Sequence, residues 1–171
     1  MSKVKYIKYF NEKYINDILY KASKKLMSQR ETFKYEVLLL LDNNNTEKII
    51  IETNSNINEV KFSDKSKQIL NDTRNKNNYT IIHNHLTGGT FTYMDIVEFL
   101  RYPKLKLMIA IDNNCNNYFA LYKSDVDDNE LFNAAINIYN KFCATGKGHN
   151  EFSNLIEVLD RHGVKYEYFT F

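Results

Sequence analysis

Apolar residues change their spacing several times along this chain, and each change marks an element. Tyr14, Ile15, Ile18, Leu19, Ala22 and Leu26 recur at helical intervals, which predicts an amphipathic helix over 11–30. "TFKYEVLLLLD" (32–42) is rich in aliphatic and aromatic residues and predicts a strand. "NNNTE" after it is turn chemistry, and "KIIIET" (48–53) reads as the returning strand of a hairpin. A short strand is predicted over Val60–Phe62, followed by a helix capped by Ser63 and running to about Leu70. "YTIIH" (79–83) is brief and apolar enough to lie centrally in a sheet. Thr92 through Arg101 reads as helical and stops before Pro103, the only proline. "KLMIAID" (106–112), "NNCNN" and "YFALYKS" (118–124) predict a further hairpin. Helices over 127–142 and 151–161, joined at Gly146 and Gly148, lead to a last strand, "VKYEYFTF" (164–171). The stripe Phe132, Ile136, Tyr139 and Phe142 reads as core packing.

Strands mixed in this way with helices predict an α/β fold: a single three-layer domain in which a mixed β-sheet is flanked by helices. The N-terminal helix covers 11–30, a core 32–124, and a helix-and-strand extension 125–171. A length of 171 residues suits one such domain with a real core. With 43% hydrophobic and 26% charged residues, the composition is that of an ordinary globular protein. A formal net charge of +2 gives no signal for nucleic acid or for an anionic membrane. The longest strongly apolar run, Val37–Leu41, is far too short to span a bilayer. The lysine-interrupted start "MSKVKYIKYFNEKY" has no signal-peptide core. Cys115 and Cys143 form no C-x-x-C pair, so a disulfide framework is not expected and a reducing, cytoplasmic location is.

The stretch that carries chemistry is "TIIHNHLTGGTFTYMDI", Thr80 to Ile96. In a strand, residues two apart project to one side, so His83 and His85 can aim both imidazoles at one point. Gly88 and Gly89 permit a sharp reversal. Asp95 then falls in the first turn of the next helix, where it can reach back toward the histidines. Two imidazoles and one carboxylate are a normal set of protein ligands for catalytic zinc, leaving a fourth position for water. Thr92-x-x-Asp95 is equally a helix capping box. The two roles are compatible, because the cap would fix the turn that aims Asp95.

Other readings of the motif fall away. Barrels that carry H-x-H after their first strand need about 250 residues. The letters "HNH" alone lack the longer ββα unit of an HNH nuclease. "ATGKGHN" lacks the first glycine and the Ser/Thr of a phosphate-binding loop. His149 and His162 read as structural, the latter ending a helix, where a cation is favourable.

Taken together, His83-Asn84-His85-Leu86, Gly88-Gly89 and Phe91-Thr92-Tyr93-Met94-Asp95 resemble the motif of the JAB/MPN (JAMM) metalloproteases. That motif is a glutamate, then H-x-H-P, a spacer and S-x-x-D. The resemblance is nearest to bacterial and phage-encoded RadC-like and JAB-like members, and covers about Thr32 to Ser124. It implies a cytidine-deaminase-like layered fold and zinc held by His83, His85 and Asp95. It also implies a hydroxyl at Thr92 that helps stabilise the oxyanion, and a general-base glutamate on the upstream hairpin. Glu36 is the best match for that base, with Glu31 and Glu52 as alternatives. The implied reaction is zinc-dependent hydrolysis of a peptide or isopeptide bond, the partner being a protein or peptide substrate. Two positions depart from the pattern. Leu86 stands where the family has proline, and Thr92 where it has serine. These departures leave a second expectation open: a non-catalytic protein of the same fold, such as a phage or mobile-element antagonist that binds a host protein target.

Overall fold

Five aliphatic residues in succession can form a strand only where both faces of the sheet are covered, and Val37–Leu41 do so. In the computed structural model they lie in β1 (Val37–Asp42), every residue of which is buried. The structure describes residues 17, 20–22, 24–26, 28, 35–53, 60–72, 74, 78–86, 90–112, 117–123, 129–130, 132–133, 136–137, 140 and 149–170. In chain order β1 is followed by β2 (Asn45–Thr53), α1 (Asp64–Asn71), β3 (Tyr79–His85) and α2 (Tyr93–Arg101). β4 (Leu105–Asp112), β5 (Asn117–Lys123), α3 (His149–Arg161) and β6 (Val164–Thr170) complete the order. The described residues around 17–28 and 129–140 are helical as well.

The six strands form one mixed sheet in the order β2-β1-β3-β4-β5-β6. Only β3 and β4 run parallel; the other neighbouring pairs are antiparallel. A parallel pair needs a crossover rather than a hairpin. Here α2 lies in that crossover, which is what brings Asp95 over the end of β3.

Alternation along the central strands splits the core in two. Leu38 and Leu40, Ile81, and Met108 and Ala110 face α1, α2 and α3, where Leu70, Ile96, Phe99, Leu155 and Leu159 meet them. Val37, Leu39 and Leu41, Ile82, and Ile109 and Ile111 face the other way, onto Ala22 and Leu26 of the N-terminal helical residues. Helices therefore cover both faces of the sheet, and the molecule is a mixed α/β protein. Full burial of side chains the size of Phe99 or Ile82 contributes about 1.5–3 kcal/mol each.

The last turn of α2 is held by an unusual group. Lys123 is buried, and its Nζ donates to the carbonyls of Phe99 (3.1 Å) and Tyr102 (2.8 Å). A cation there satisfies carbonyls that the helix leaves open and complements the negative end of its dipole.

Expected boundaries shift in several places: β2 begins at Asn45 rather than Lys48, β3 runs to His85 rather than His83, and α3 begins at His149. Val60–Phe62 form no strand: Phe62 turns inward and packs edge-on against Tyr102, with ring centroids 5.5 Å apart. Burial, not strand pairing, accounts for that apolar cluster. β1 starts at Val37 rather than near Thr32, with Tyr35 and Glu36 ahead of it. The Val37 amide donates to the Asn84 side chain at 2.7 Å. The helix expected over 92–101 is present with Thr92 as its cap. Gly88, Gly89, Gly146, Gly148, Tyr139, Phe142 and both cysteines lie outside the described residues.

Candidate metal centre

β3 supplies two candidate ligands and α2 a third. His83 and His85 are both buried on the α2 side of the sheet, their Nε2 atoms 2.7 Å apart. Asp95 Oδ1 is 3.6 Å from His83 Nε2, and its Oδ2 is 3.5 Å from His85 Nε2. A tetrahedral ion with bonds of about 2.0–2.1 Å holds its ligand atoms about 3.3 Å apart. The observed separations bracket that value, so these three side chains form a group able to hold a metal ion.

Each ligand is held by its neighbours. Asp95 Oδ2 accepts from the Thr92 backbone amide (2.6 Å) and from the Thr92 hydroxyl (2.7 Å). The Asp95 amide donates back to Thr92 Oγ1 at 3.2 Å, which closes the capping box. Cap and ligand are thus one structure: the contacts that start α2 also aim Asp95. The His83 ring packs beside buried Phe91, with centroids 6.2 Å apart. His83 Nδ1 is buried without a hydrogen-bond partner among the described residues.

Electrostatics follow from this crowding. Burial opposes ionisation of Asp95, but attraction to His83 and hydrogen bonds to both imidazoles outweigh it. The carboxyl is held well below the usual carboxylate range. Burial also opposes charge on His85, yet the Asp95 hydrogen bond and the charges of Asp95 and Glu36 raise its pKa.

Glu36 is, beside Glu98, the other carboxylate that joins the three in the cavity. It stands half-buried just before β1 and lines one cavity together with His83, His85, Thr92 and Asp95. Burial pushes its carboxyl up, and the charge on Asp95 adds to this. The two imidazoles and a hydrogen bond from the Leu86 amide act the other way. Of the alternatives, Glu31 lies outside the described residues. Glu52 is buried on β2 and accepts from the hydroxyls of Ser63 and Ser66, tying the start of α1 to the sheet. It does not line the cavity.

Two contributors escaped the sequence reading. Asn84, between the histidines, points away from them and fixes the start of β1 through Val37. The Leu86 amide reaches Glu36. The one available signal was Leu86 itself, since a proline there has no N–H to give. His162 directly follows α3, beside Gly163 at φ 80°, and is not part of the cavity lining. The His149 side chain lies outside the described residues.

No protein-family profile, curated protein or solved structure matches this chain. Among the described residues, no helix is long and apolar enough to cross a membrane.

Proposed function

We propose that this chain is a zinc-dependent hydrolase of the JAB/MPN type that cleaves a peptide or isopeptide bond. The observation that carries the reading is the convergence of His83, His85 and Asp95 on one point, with Glu36 in the same cavity. The donor set, two imidazoles and a carboxylate, suits zinc and leaves a coordination position open. Zinc in this place supplies Lewis acidity and brings the pKa of water toward neutrality. The chain's own residues do the rest. His83 and His85 present their Nε2 atoms, and Asp95 is kept ionised. Glu36, with its proton affinity raised by burial, takes the proton from water and delivers it to the leaving amine. The six-stranded mixed sheet with helices on both faces supplies the α/β layering that the reading calls for.

One observation favours a second reading, a protein of the same fold that binds a partner without cleaving it. The Thr92 hydroxyl already donates to Asp95, so it can serve an oxyanion only by leaving that carboxylate. In the hydrolase reading Thr92 therefore positions Asp95 rather than the oxyanion. Zinc per chain and hydrolysis of peptide and isopeptide substrates, measured on the wild type, Glu36→Gln and His83→Ala, separate the readings. The hydrolase reading expects about one zinc in the wild type and in Glu36→Gln, loss of zinc in His83→Ala, and cleavage only by the wild type. Zinc-loaded wild type that cleaves nothing yet holds a protein partner tightly leaves the binding reading standing.

A further inference from the structure

β1 loses one of its two neighbours just where Glu36 is delivered. Val37, its first residue, pairs with Thr53 of β2, whereas the ladder to β3 begins only at Leu38, opposite His83. Carried one and two steps further in the same antiparallel register, that ladder would set Val37 opposite Asn84 and Glu36 opposite His85. Instead the buried Val37 gives its amide to Asn84 Oδ1, at 2.7 Å. An amide already spent on a side chain cannot close a ladder bond. Asn84 therefore both holds Val37 and ends the pairing with β3 before Glu36 is reached.

What that ending does for Glu36 follows from ladder geometry. Directly opposed residues of an antiparallel pair hold their Cβ atoms about 5 Å apart on one face. A ladder run on to Glu36 would fix its side chain alongside His85, with the backbones of both strands committed to each other. Released from β3, the chain bends at Tyr35, and Glu36 stands outside the strand. Its carboxylate accepts a hydrogen bond from the Leu86 amide and lines the cavity with His83 and His85. "HNHL" thus divides by parity. His83 and His85 offer imidazoles, while Asn84 and Leu86 hold the incoming chain at the Val37 amide and the Glu36 carboxylate.

Resting on the hydrolase reading for what Glu36 does, we infer that Asn84 is a positioning residue for the general base: its side-chain oxygen ends the β1–β3 ladder early and so sets where the Glu36 carboxylate stands in the cavity. It acts through Val37, the next residue in the chain after Glu36, and not by touching the reacting atoms. A side chain that fills the same space without an acceptor leaves the Val37 amide unpaired or lets the ladder close. In either case Glu36 moves off the Leu86 amide.

Amide hydrogen exchange of the full chain, read beside turnover and zinc content, tests this with Asn84→Leu, Asn84→Asp and Asn84→Ser. Leucine has the size of asparagine but no acceptor, aspartate keeps an oxygen where Oδ1 lies, and serine is too short to reach Val37. In the Leu and Ser variants the Leu86 amide should exchange about tenfold faster, the size of one ordinary hydrogen bond. Leu40 and Ile81, paired in mid-ladder, should keep their wild-type rates. In the same two variants kcat should fall about tenfold at unchanged KM and zinc content. Asn84→Asp should return both readouts to near wild type. The serine variant decides if the leucine variant does not fold. An unchanged Leu86 amide in a folded Leu or Ser variant, equal acceleration in Asn84→Asp, or faster exchange spread evenly over Leu40 and Ile81 would each overturn the inference. Cleavage by the wild type reads the catalytic proposal separately: a wild type that cleaves nothing removes the hydrolase, and the Leu86 amide then decides the placing of Glu36 by itself.

Discussion

Burying Glu36 beside two imidazoles makes it a better proton acceptor and a worse neighbour in the folded state. A carboxyl raised above its unfolded value disfavours folding wherever it is ionised, so Glu36→Gln should stabilise the metal-free protein at neutral pH while lowering hydrolysis about 10²–10⁴-fold. Urea denaturation beside a turnover assay checks both halves. His85 carries the opposite sign. Its raised pKa favours the protonated form in the fold, a contribution complete below the ordinary imidazole value and lost as pH rises through the raised one. Zinc needs the neutral ring, so affinity should fall steeply on acidification between about pH 8 and pH 5. A zinc titration that is flat over that range would contradict this. Leu86 offers the sharpest comparison. Leu86→Ala keeps the amide that meets Glu36, whereas Leu86→Pro removes it. The proline variant should lose about tenfold in kcat at unchanged zinc stoichiometry, and the alanine variant little. Equal losses in both would assign the effect to the leucine side chain.

At the scale of elements, the cap of α2 is the part that serves two ends. Thr92→Ala should cost about 1 kcal/mol in stability, within the usual 0.5–2 for a lost cap, and about 10–100-fold in zinc affinity. Thr92→Ser should restore most of both, read by thermal melts and competition with a chelator. That cap was legible in the sequence because it is local: Thr92 and Asp95 are three residues apart, and their spacing alone fixes the helix start. β1, β3 and β4 were legible too, since aliphatic runs that short have few alternatives to a covered strand. Val60–Phe62 misled for the complementary reason. Apolar composition reports burial, and only a free neighbouring edge turns a buried segment into a strand; the edges here are β2 and β6. Asn84 was illegible because its role depends on β1 lying alongside, a contact between residues 47 apart in sequence. The choice of Glu36 over Glu52 likewise needed the hairpin folded, which sends one acid to the cavity and the other to the serines of α1.

For the whole molecule, an ion that binds only the folded state adds stability by mass action. Zinc at a hundred times its Kd contributes about 2.7 kcal/mol. At about 2–4 °C per kcal/mol for a chain of this size, the melting midpoint should rise by roughly 5–11 °C. His83→Ala should abolish the rise; a shift that persists would place the ion elsewhere. The parallel pair at the centre of the sheet has one more outcome, concerning the sequence of assembly. The three candidate ligands fall between His83 and Asp95, on one strand and the helix that follows it, whereas Glu36 arrives just ahead of β1, which pairs with β3 across a separation about four times longer. Closing that longer loop costs about 1.2 kcal/mol more, two doublings at about 0.6 each. A newly made chain can therefore bring His83, His85 and Asp95 together before β1 docks, and Glu36 joins them in the cavity only once it has.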